Sequence, residues 1–289
     1  MYTIRELRKY QYDYHNERFP YINDWKRNPY TFLKSRFYME LSALLVYFLL
    51  KTNIRPNSVT IAYGLAGILG GILLAIPTNA THIFAVVIFF TKGVLDWSDG
   101  HLARVRRQTS ITGHVLDIYG ALLNDIALQI GLGFYVVSRT DMHAFYYLIP
   151  LIPFFYAIKL TNFSAAVLFN DLSKVNFLKA AMKKKSHLNI IAKTTEDAKL
   201  EVLGKNKKYY EYFASFLDAR ARSVDFICLL ILIEIFTNFS ITWIIFIAFV
   251  LKGFVSFIGG MYLVIKRGWV EKSLEVISDN IKCCFEAEK

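Results

Sequence analysis

The sequence of 289 residues is 55% hydrophobic and 16% aromatic, and only 20% of its residues are charged, whereas roughly a quarter are charged in a typical soluble domain. This composition excludes a disordered chain, a collagen and a coiled coil, and three cysteines are too few for a disulfide scaffold. Because the basic residues behind the formal net charge of +11 cluster in polar segments between apolar ones, we predict an integral membrane protein that binds no nucleic acid.

Apolar stretches along the chain indicate the transmembrane helices. A helix needs about 20 apolar residues to cross ~30 Å of hydrocarbon. Six stretches meet or nearly meet this length, at about 58–77, 82–101, 111–138, 144–169, 223–238 and 240–265. We therefore predict an all-α bundle of six transmembrane helices. The apolar run Leu41 to Leu50 is too short to span, and we predict that about 31–51 forms an amphipathic helix in the membrane interface.

The distribution of basic residues predicts the topology. Lysines and arginines are frequent in the N-terminal region, in the connection between the second and third spans, in 170–222 and after the last span, but the alternating connections contain only Arg139. By the positive-inside rule both termini are cytoplasmic. The predicted regions are the N-terminal region 1–57, helices 1–4 in 58–169, a basic cytoplasmic insertion in 170–222, helices 5–6 in 223–266 and a tail in 267–289. The insertion is expected to contact anionic lipid headgroups, with a role as a lid over a site as the alternative.

Acidic residues flank the second connection. Asp96 and Asp99 are three residues apart at the end of the second span and share one helical face. Gly113 and Asp117 are four apart at the start of the third span. A short connection makes these helices antiparallel neighbours, so the three carboxylates are expected to converge at one depth. Carboxylates at the edge of the hydrocarbon are costly unless they are paired or bind metal.

Two interpretations of this acidic group follow. Three oxygen donors without cysteine or suitably spaced histidine favour Mg²⁺, Mn²⁺ or Ca²⁺ over zinc, with positive charge for phosphates from Arg104, Arg106 and Arg107. In the alternative, the acids only form ion pairs with these arginines at a solvated helix end. The number of residues at fixed offsets favours the metal site.

The same segment resembles the signature of the CDP-alcohol phosphotransferases (CDP-alcohol phosphatidyltransferases), which reads DxxDGxxAR, eight residues, then GxxxDxxxD. The matching residues are Asp96, Asp99, Gly100, Ala103, Arg104, Gly113 and Asp117. A PNxxT sequence that begins at Pro56 also looks like the family's entry to the first span. The resemblance implies a homodimeric six-helix bundle with a cavity that faces the cytoplasm, in which an acceptor hydroxyl attacks the phosphorus distal to cytidine and CMP leaves.

The resemblance also assigns roles to residues. It implies that Asp96, Asp99 and Asp117 bind two divalent ions, Mg²⁺ or Mn²⁺, that bridge the diphosphate. It further implies a CDP pocket; the residues concerned are Gly100, Ala103, Arg104 and Gly113, with Asn57 and Thr60 as additional candidates.

One position departs from the signature. The family's fourth aspartate would fall at position 121, where this chain has Ala121, which can neither hold metal nor deprotonate the acceptor. Asp125 lies about 12 Å further along the helix than Asp117 and is one candidate for the missing base. His114, one turn before Asp117, is another, because imidazole is a suitable base near neutral pH. A loose transition state that needs little deprotonation is the third possibility.

The remaining expectations concern the substrates. Lys159 in the fourth span and Arg220 and Arg222 at the entry to the fifth are candidates for binding the acceptor. The preferred donor is CDP-diacylglycerol with a small polar alcohol as acceptor, in the inner membrane of a bacterium. The alternatives are transfer from a soluble CDP-alcohol to a lipid or glycan, and a catalytically impaired member of the family that acts as a binding or scaffold protein.

Overall fold

The computed structural model describes residues 2–18, 25–26, 29–158, 221–237 and 239–268. These residues form helices joined by turns, and none of them lies in a strand. The chain divides into two compact units, one of residues 1–149 with 218–247 and one of residues 150–217 with 248–289. The predicted all-α class therefore holds for the part of the chain that is described.

The helices begin and end at residues whose chemistry accounts for their positions. Pro56 starts α3, Ser110 accepts the backbone N–H of Gly113 at 3.0 Å at the start of α6, and Asp141 ends α6 in the left-handed region with φ of 53°. A 3-10 helix, His143–Tyr147, precedes α7. In chain order the helices are α1 (Ile4–Arg18), α2 (Pro29–Leu49), α3 (Pro56–Ala75), α4 (Asn79–Thr91), α5 (Gly93–Val105), α6 (Ile111–Thr140), α7 (Leu151–Ala157), α8 (Ala221–Phe236) and α9 (Thr242–Arg267).

Several helices are long and apolar enough to cross a membrane. Within the described ranges there are four, at Pro56–Ala75, Asn79–Val105, Thr112–Thr140 and Thr242–Lys266. They correspond to the first, second, third and sixth predicted spans, and the second consists of α4 and α5 with Lys92 between them. The fourth predicted span is described only as far as residue 158, and the fifth appears as α8, with 16 residues. An integral membrane protein is supported, while the count of six spans remains a prediction.

The helices α3 and α6 pack backbone against backbone along a row of small residues. A Cβ atom on Gly71 would lie 2.5 Å from the carbonyl oxygen of Ala127, and one on Gly131 would lie 2.5 Å from the carbonyl oxygen of Gly71. Real side chains do not approach so closely, so only glycine fits at these positions. The close approach fixes the distance between two helices that both contribute to the wall of the cavity described below.

The N-terminal part of the chain adds two helices to the first unit. The helix predicted at about 31–51 is present as α2, whereas α1 was not predicted, because its sequence is polar and charged. Leu7 of α1 is fully buried and belongs to the same core cluster as Val46 of α2, Val59 of α3 and Leu102 of α5. α1 is thus part of the core of this unit. The location of α2 in the membrane interface stays a prediction.

The start of α9 is held by a buried carboxylate of α8. Glu234, which is fully buried, accepts the backbone N–H groups of Ile241 and Thr242, and the latter hydrogen bond is 2.7 Å long. Arg139 of α6 donates to the carbonyl oxygen of Glu234. These contacts satisfy polar groups at the ends of α8 and α9 that the hydrocarbon could not satisfy. In the second unit, Phe155 of α7 packs against Phe254 of α9.

Candidate active site

The first unit contains a cavity of about 270 Å³ beside the connection between α5 and α6. Its walls come from the first turns of α3, the second half of α5, the connection itself and the first two turns of α6. One residue of α1, Tyr14, also contributes to the lining. The lining residues are Tyr14, Pro56, Asn57, Thr60, Asp99, Gly100, Ala103, Arg104, Gln108, Thr109, Ser110, Gly113, His114 and Asp117.

The cavity brings together most of the residues that the sequence singled out. Two of the three predicted metal ligands, both weaker candidates from the PNxxT sequence and one candidate base lie in its wall. The predicted residues in the lining are Asn57, Thr60, Asp99, Gly100, Ala103, Arg104, Gly113, His114 and Asp117. Asp96 and Asp125 are not among the lining residues.

The three carboxylates lie near one another. The side chain of Asp96 interacts with that of Asp117, and both interact electrostatically with Asp99. Asp99 is buried, and its Oδ2 accepts a hydrogen bond of 2.5 Å from the hydroxyl of Thr60. Asp96 and Asp117 are half-buried. Two carboxylates in contact repel each other as anions, so this arrangement favours a cation or a proton between them.

The chemistry of these residues suits a hard divalent cation. The donors are carboxylate oxygens, which Mg²⁺ and Mn²⁺ prefer. Within the described ranges, however, no group of three or more His, Cys, Asp or Glu side chains is close enough to hold an ion as it stands. Asp96, Asp99 and Asp117 interact with one another, and one oxygen of Asp99 accepts the hydrogen bond from Thr60.

The two glycines of the signature leave space in the cavity because they carry no side chain. A Cβ atom on Gly113 would lie 3.3 Å from Oδ1 of Asn57, and one on Gly100 would lie 3.2 Å from a terminal nitrogen of Arg104. Both distances are shorter than ordinary van der Waals contact. A side chain at either position would require its neighbours to shift by a few tenths of an ångström, and the glycines leave that space to a ligand.

Two of the three arginines near the connection, Arg104 and Arg106, have different roles. Arg104 lines the cavity, as expected. Arg106 instead donates to the backbone carbonyl oxygens of Leu49, Thr52 and Ile54, at 2.8, 2.7 and 2.5 Å. Its guanidinium holds together the backbone of the segment at the end of α2 and after it. The expectation that Arg106 supplies charge for phosphates is therefore corrected to a structural role.

The candidates for the missing base differ in position. His114 is exposed and lines the cavity next to Asp117, one helical turn away. Asp125 accepts a hydrogen bond of 2.9 Å from Gln129 on its own helix. Ala121 is exposed. Of the predicted acceptor-binding residues, Lys159, Arg220 and the side chain of Arg222 lie outside the described residues.

Sequence reasoning did not find every residue of the cavity. Ser110 carried a detectable signal, because a serine three residues before Gly113 at the start of an apolar periodic run is typical of a helix N-cap. Tyr14 carried none, since nothing in the local sequence of α1 indicates that it meets α5 some 90 residues later. Pro56, Gln108 and Thr109 follow from the positions of their neighbours.

The fold and the site define a helical membrane protein with an acidic, glycine-walled cavity between neighbouring helices. Residues 53–185 match the family model of the CDP-alcohol phosphatidyltransferases. This match confirms the resemblance of the signature over that segment. The family it names is one of transferases that pass a phosphate-containing group to an alcohol. None of the curated proteins and none of the solved structures compared with the chain matches it significantly.

Proposed function

We propose that the protein transfers a substituted phosphate group from a CDP-alcohol to an acceptor hydroxyl and releases CMP. The preferred donor is CDP-diacylglycerol and the preferred acceptor a small polar alcohol, so the product is a phospholipid. The observation that carries the proposal is the meeting of Asp99, Asp117, Gly100, Gly113 and Arg104 in one cavity, within a segment that matches the family.

The reaction forms one bond and breaks one. The acceptor oxygen attacks the phosphorus distal to cytidine, the bond from that phosphorus to the oxygen shared with the CMP phosphate breaks, and the acceptor proton passes to a base or to water. Divalent cations bound by Asp96, Asp99 and Asp117 would neutralise the diphosphate and the charge that develops on the leaving group.

The protein's own residues orient the reactants. Thr60 orients Asp99 by its hydrogen bond to one carboxylate oxygen. The glycines at 100 and 113 let the diphosphate approach the backbone, and Arg104 offers a guanidinium to phosphate oxygens. Such positioning and charge complementarity account for most of the rate enhancement in phosphoryl transfer.

Because position 121 is alanine, the group that accepts the proton of the acceptor hydroxyl has to be found elsewhere. We favour His114 as its recipient over Asp125, because His114 lines the cavity beside Asp117 whereas Asp125 accepts a hydrogen bond from Gln129. The replacement His114→Gln keeps a polar side chain but removes the base, and a reduction of kcat by about 10²-fold or more is expected. His114→Gln activity at the wild-type level would support the loose transition state instead.

The main test follows CMP release by the full-length protein in detergent or vesicles. With Mg²⁺, CMP release from CDP-diacylglycerol is expected to need an added alcohol and to stop with EDTA. Asp117→Asn is expected to lower the rate by at least about 10²-fold, because a neutral amide is a poor ligand for Mg²⁺. Asp141→Asn is the matched control, since Asp141 lies at the other end of α6 in a left-handed conformation that asparagine also adopts.

The same assay separates the alternatives. CMP release from a soluble CDP-alcohol with a lipid acceptor, and none from CDP-diacylglycerol, would assign the reverse arrangement. Release from no CDP-alcohol at all, with bound nucleotide retained, would indicate an impaired member that acts by binding. In that case Ala121→Asp is expected to raise the rate strongly, whereas in an enzyme adapted to alanine the same replacement lowers it.

The cellular location follows from the same proposal. The basic residues of the N-terminal region and of the α5–α6 connection support a cavity that faces the cytoplasm, where CDP-alcohols are available. The family implies a homodimer, and we propose a bacterial inner membrane as its location. Crosslinking in native membranes and accessibility of single-cysteine variants test these two points.

A further inference from the structure

The first helix, α1, lies outside the segment that matches the family and is nevertheless fixed to it. Leu7 is fully buried in the core cluster. Gln11, also fully buried, donates a hydrogen bond of 3.3 Å to the hydroxyl of Ser42 on α2. The ring of His15 stacks on Trp97 of α5, with 4.3 Å between ring centroids. α1 is thus anchored by apolar, polar and aromatic contacts over three successive turns.

The second half of this helix meets the arginine of the signature. The guanidinium carbon of Arg104 lies 3.8 Å from the centre of the Tyr14 ring, and one terminal nitrogen donates to Oε1 of Gln11 at 3.1 Å. On the other side, the second terminal nitrogen lies over Gly100, where a Cβ would be 3.2 Å away. The guanidinium is therefore held between an aromatic ring, an amide oxygen and a glycine.

We propose that Gln11 and Tyr14 are positioning residues for the donor, which act by holding Arg104 in the wall of the cavity so that its guanidinium meets a phosphate oxygen of a cytidine diphosphate group. This inference rests on the proposed function. An arginine side chain has several rotatable bonds, and the freedom that it loses on binding a phosphate weakens binding. A ring and an amide that fix the guanidinium in advance remove part of that cost.

The geometry separates the roles of the two residues. Tyr14 contacts Arg104 through the face of its ring, so the hydroxyl is not needed for the cation–π interaction. Gln11 acts as an acceptor toward Arg104 and as a donor toward Ser42, so both ends of its amide are in use. Gln11 of α1 therefore connects Ser42 of α2 with Arg104 in the wall of the cavity.

The test measures KM and kcat for the CDP-alcohol, together with the dissociation constant of CDP, in the full-length purified protein. Tyr14→Leu is expected to raise KM and the dissociation constant of CDP by roughly 3- to 30-fold, the range that a cation–π contact supports, with kcat within about twofold of wild type. Tyr14→Phe is expected to match wild type. Gln11→Met, which keeps the length of the side chain, is expected to raise KM in the same direction.

Two controls separate positioning from general support of α1. Tyr10→Leu changes another aromatic residue of α1 that stacks on His101 and does not line the cavity, and it is expected to leave KM unchanged. In an Arg104→Gln background, Tyr14→Leu is expected to have no further effect on CDP binding, because the group that Tyr14 positions is gone.

The outcomes distinguish this inference from the proposed function. If wild type binds CDP but turns over no CDP-alcohol, the proposed reaction fails and CDP binding still tests the positioning role. If Tyr14→Leu and Gln11→Met bind CDP as wild type does, or if Tyr14→Leu weakens CDP binding equally with and without Arg104, the positioning role is refuted. A wild type that does not bind CDP would refute both.

Discussion

The row of small residues between α3 and α6 leads to a specific prediction about Gly67. A Cβ on Gly67 would overlap the amide of Asn124 and lie 2.9 Å from its Cα, whereas carbon atoms normally remain about 3.5 to 4.0 Å apart. The amide cannot simply turn away, since it is buried and donates to the carbonyl oxygens of Tyr63 and Gly120 at 3.2 and 2.8 Å. Gly67→Ala must therefore displace this amide and separate the helices.

The cost follows from these contacts. Overpacking a tight contact costs about 1 to 3 kcal/mol, and two disturbed buried hydrogen bonds add about 1 kcal/mol each. Alanine returns about 1 kcal/mol through its higher helix propensity. The net destabilisation is about 2 to 4 kcal/mol, which corresponds to a fall of at least about 5 °C in the thermal transition.

A neighbouring glycine supplies the control. One turn earlier on the same helix, a Cβ on Gly64 would meet its nearest atoms at 3.7 Å, an ordinary contact. Gly64→Ala is therefore expected to leave the thermal transition of the detergent-solubilised protein unchanged or to raise it. If both alanine variants melt at the same temperature, α3 and α6 do not pack against each other as described.

Three further predictions use the same preparations. Lys34→Met leaves the largely buried carboxylate of Asp225, 2.7 Å from the Lys34 ammonium, without its counterion and is expected to destabilise the protein by about 3 to 5 kcal/mol, while Asp225→Leu added to it restores most of the loss in the thermal assay; no recovery would contradict the ion pair. Thr60→Val is expected to slow CMP release about tenfold or more and Thr60→Ser to retain it, because only the hydroxyl orients Asp99; equal rates in the two variants would argue against that role. Arg106→Lys is expected to lower the thermal transition but not kcat or KM, because an ammonium cannot reach three carbonyl groups in a fixed fork; a change in KM would return Arg106 to the substrate site.

Hydropathy predicted the long helices of the described part to within a few residues. The third span was expected at about 111–138 and is found as Ile111–Thr140, because the cost of placing polar backbone or side chains in hydrocarbon dominates every other local preference. The helix α1 escaped prediction for the opposite reason. Its polar sequence has no apolar period, and it is held by single contacts such as that of Leu7 with residues far along the chain.

The site was predictable to the extent that it lies on two helices joined by a short connection. The spacing of Asp99, Gly100, Gly113 and Asp117 determines that they face one another once α5 and α6 are antiparallel, and all four line the cavity. The spacing does not show how the carboxylates are arranged relative to one another, or which of the arginines contributes to the cavity. Arg106 differs from Arg104 only in the direction of its side chain, and that direction depends on where α2 ends.

The glycine row between α3 and α6 limits how this protein can change its substrate. Two helices already in backbone contact have no room to move closer, and any larger residue in the row only forces them apart. Adjustment of the pocket to smaller or larger alcohols is thus confined to lining side chains outside this helix pair, such as Tyr14 of the N-terminal helix. Selection for a new substrate in the laboratory should accumulate replacements there before it touches the paired helices.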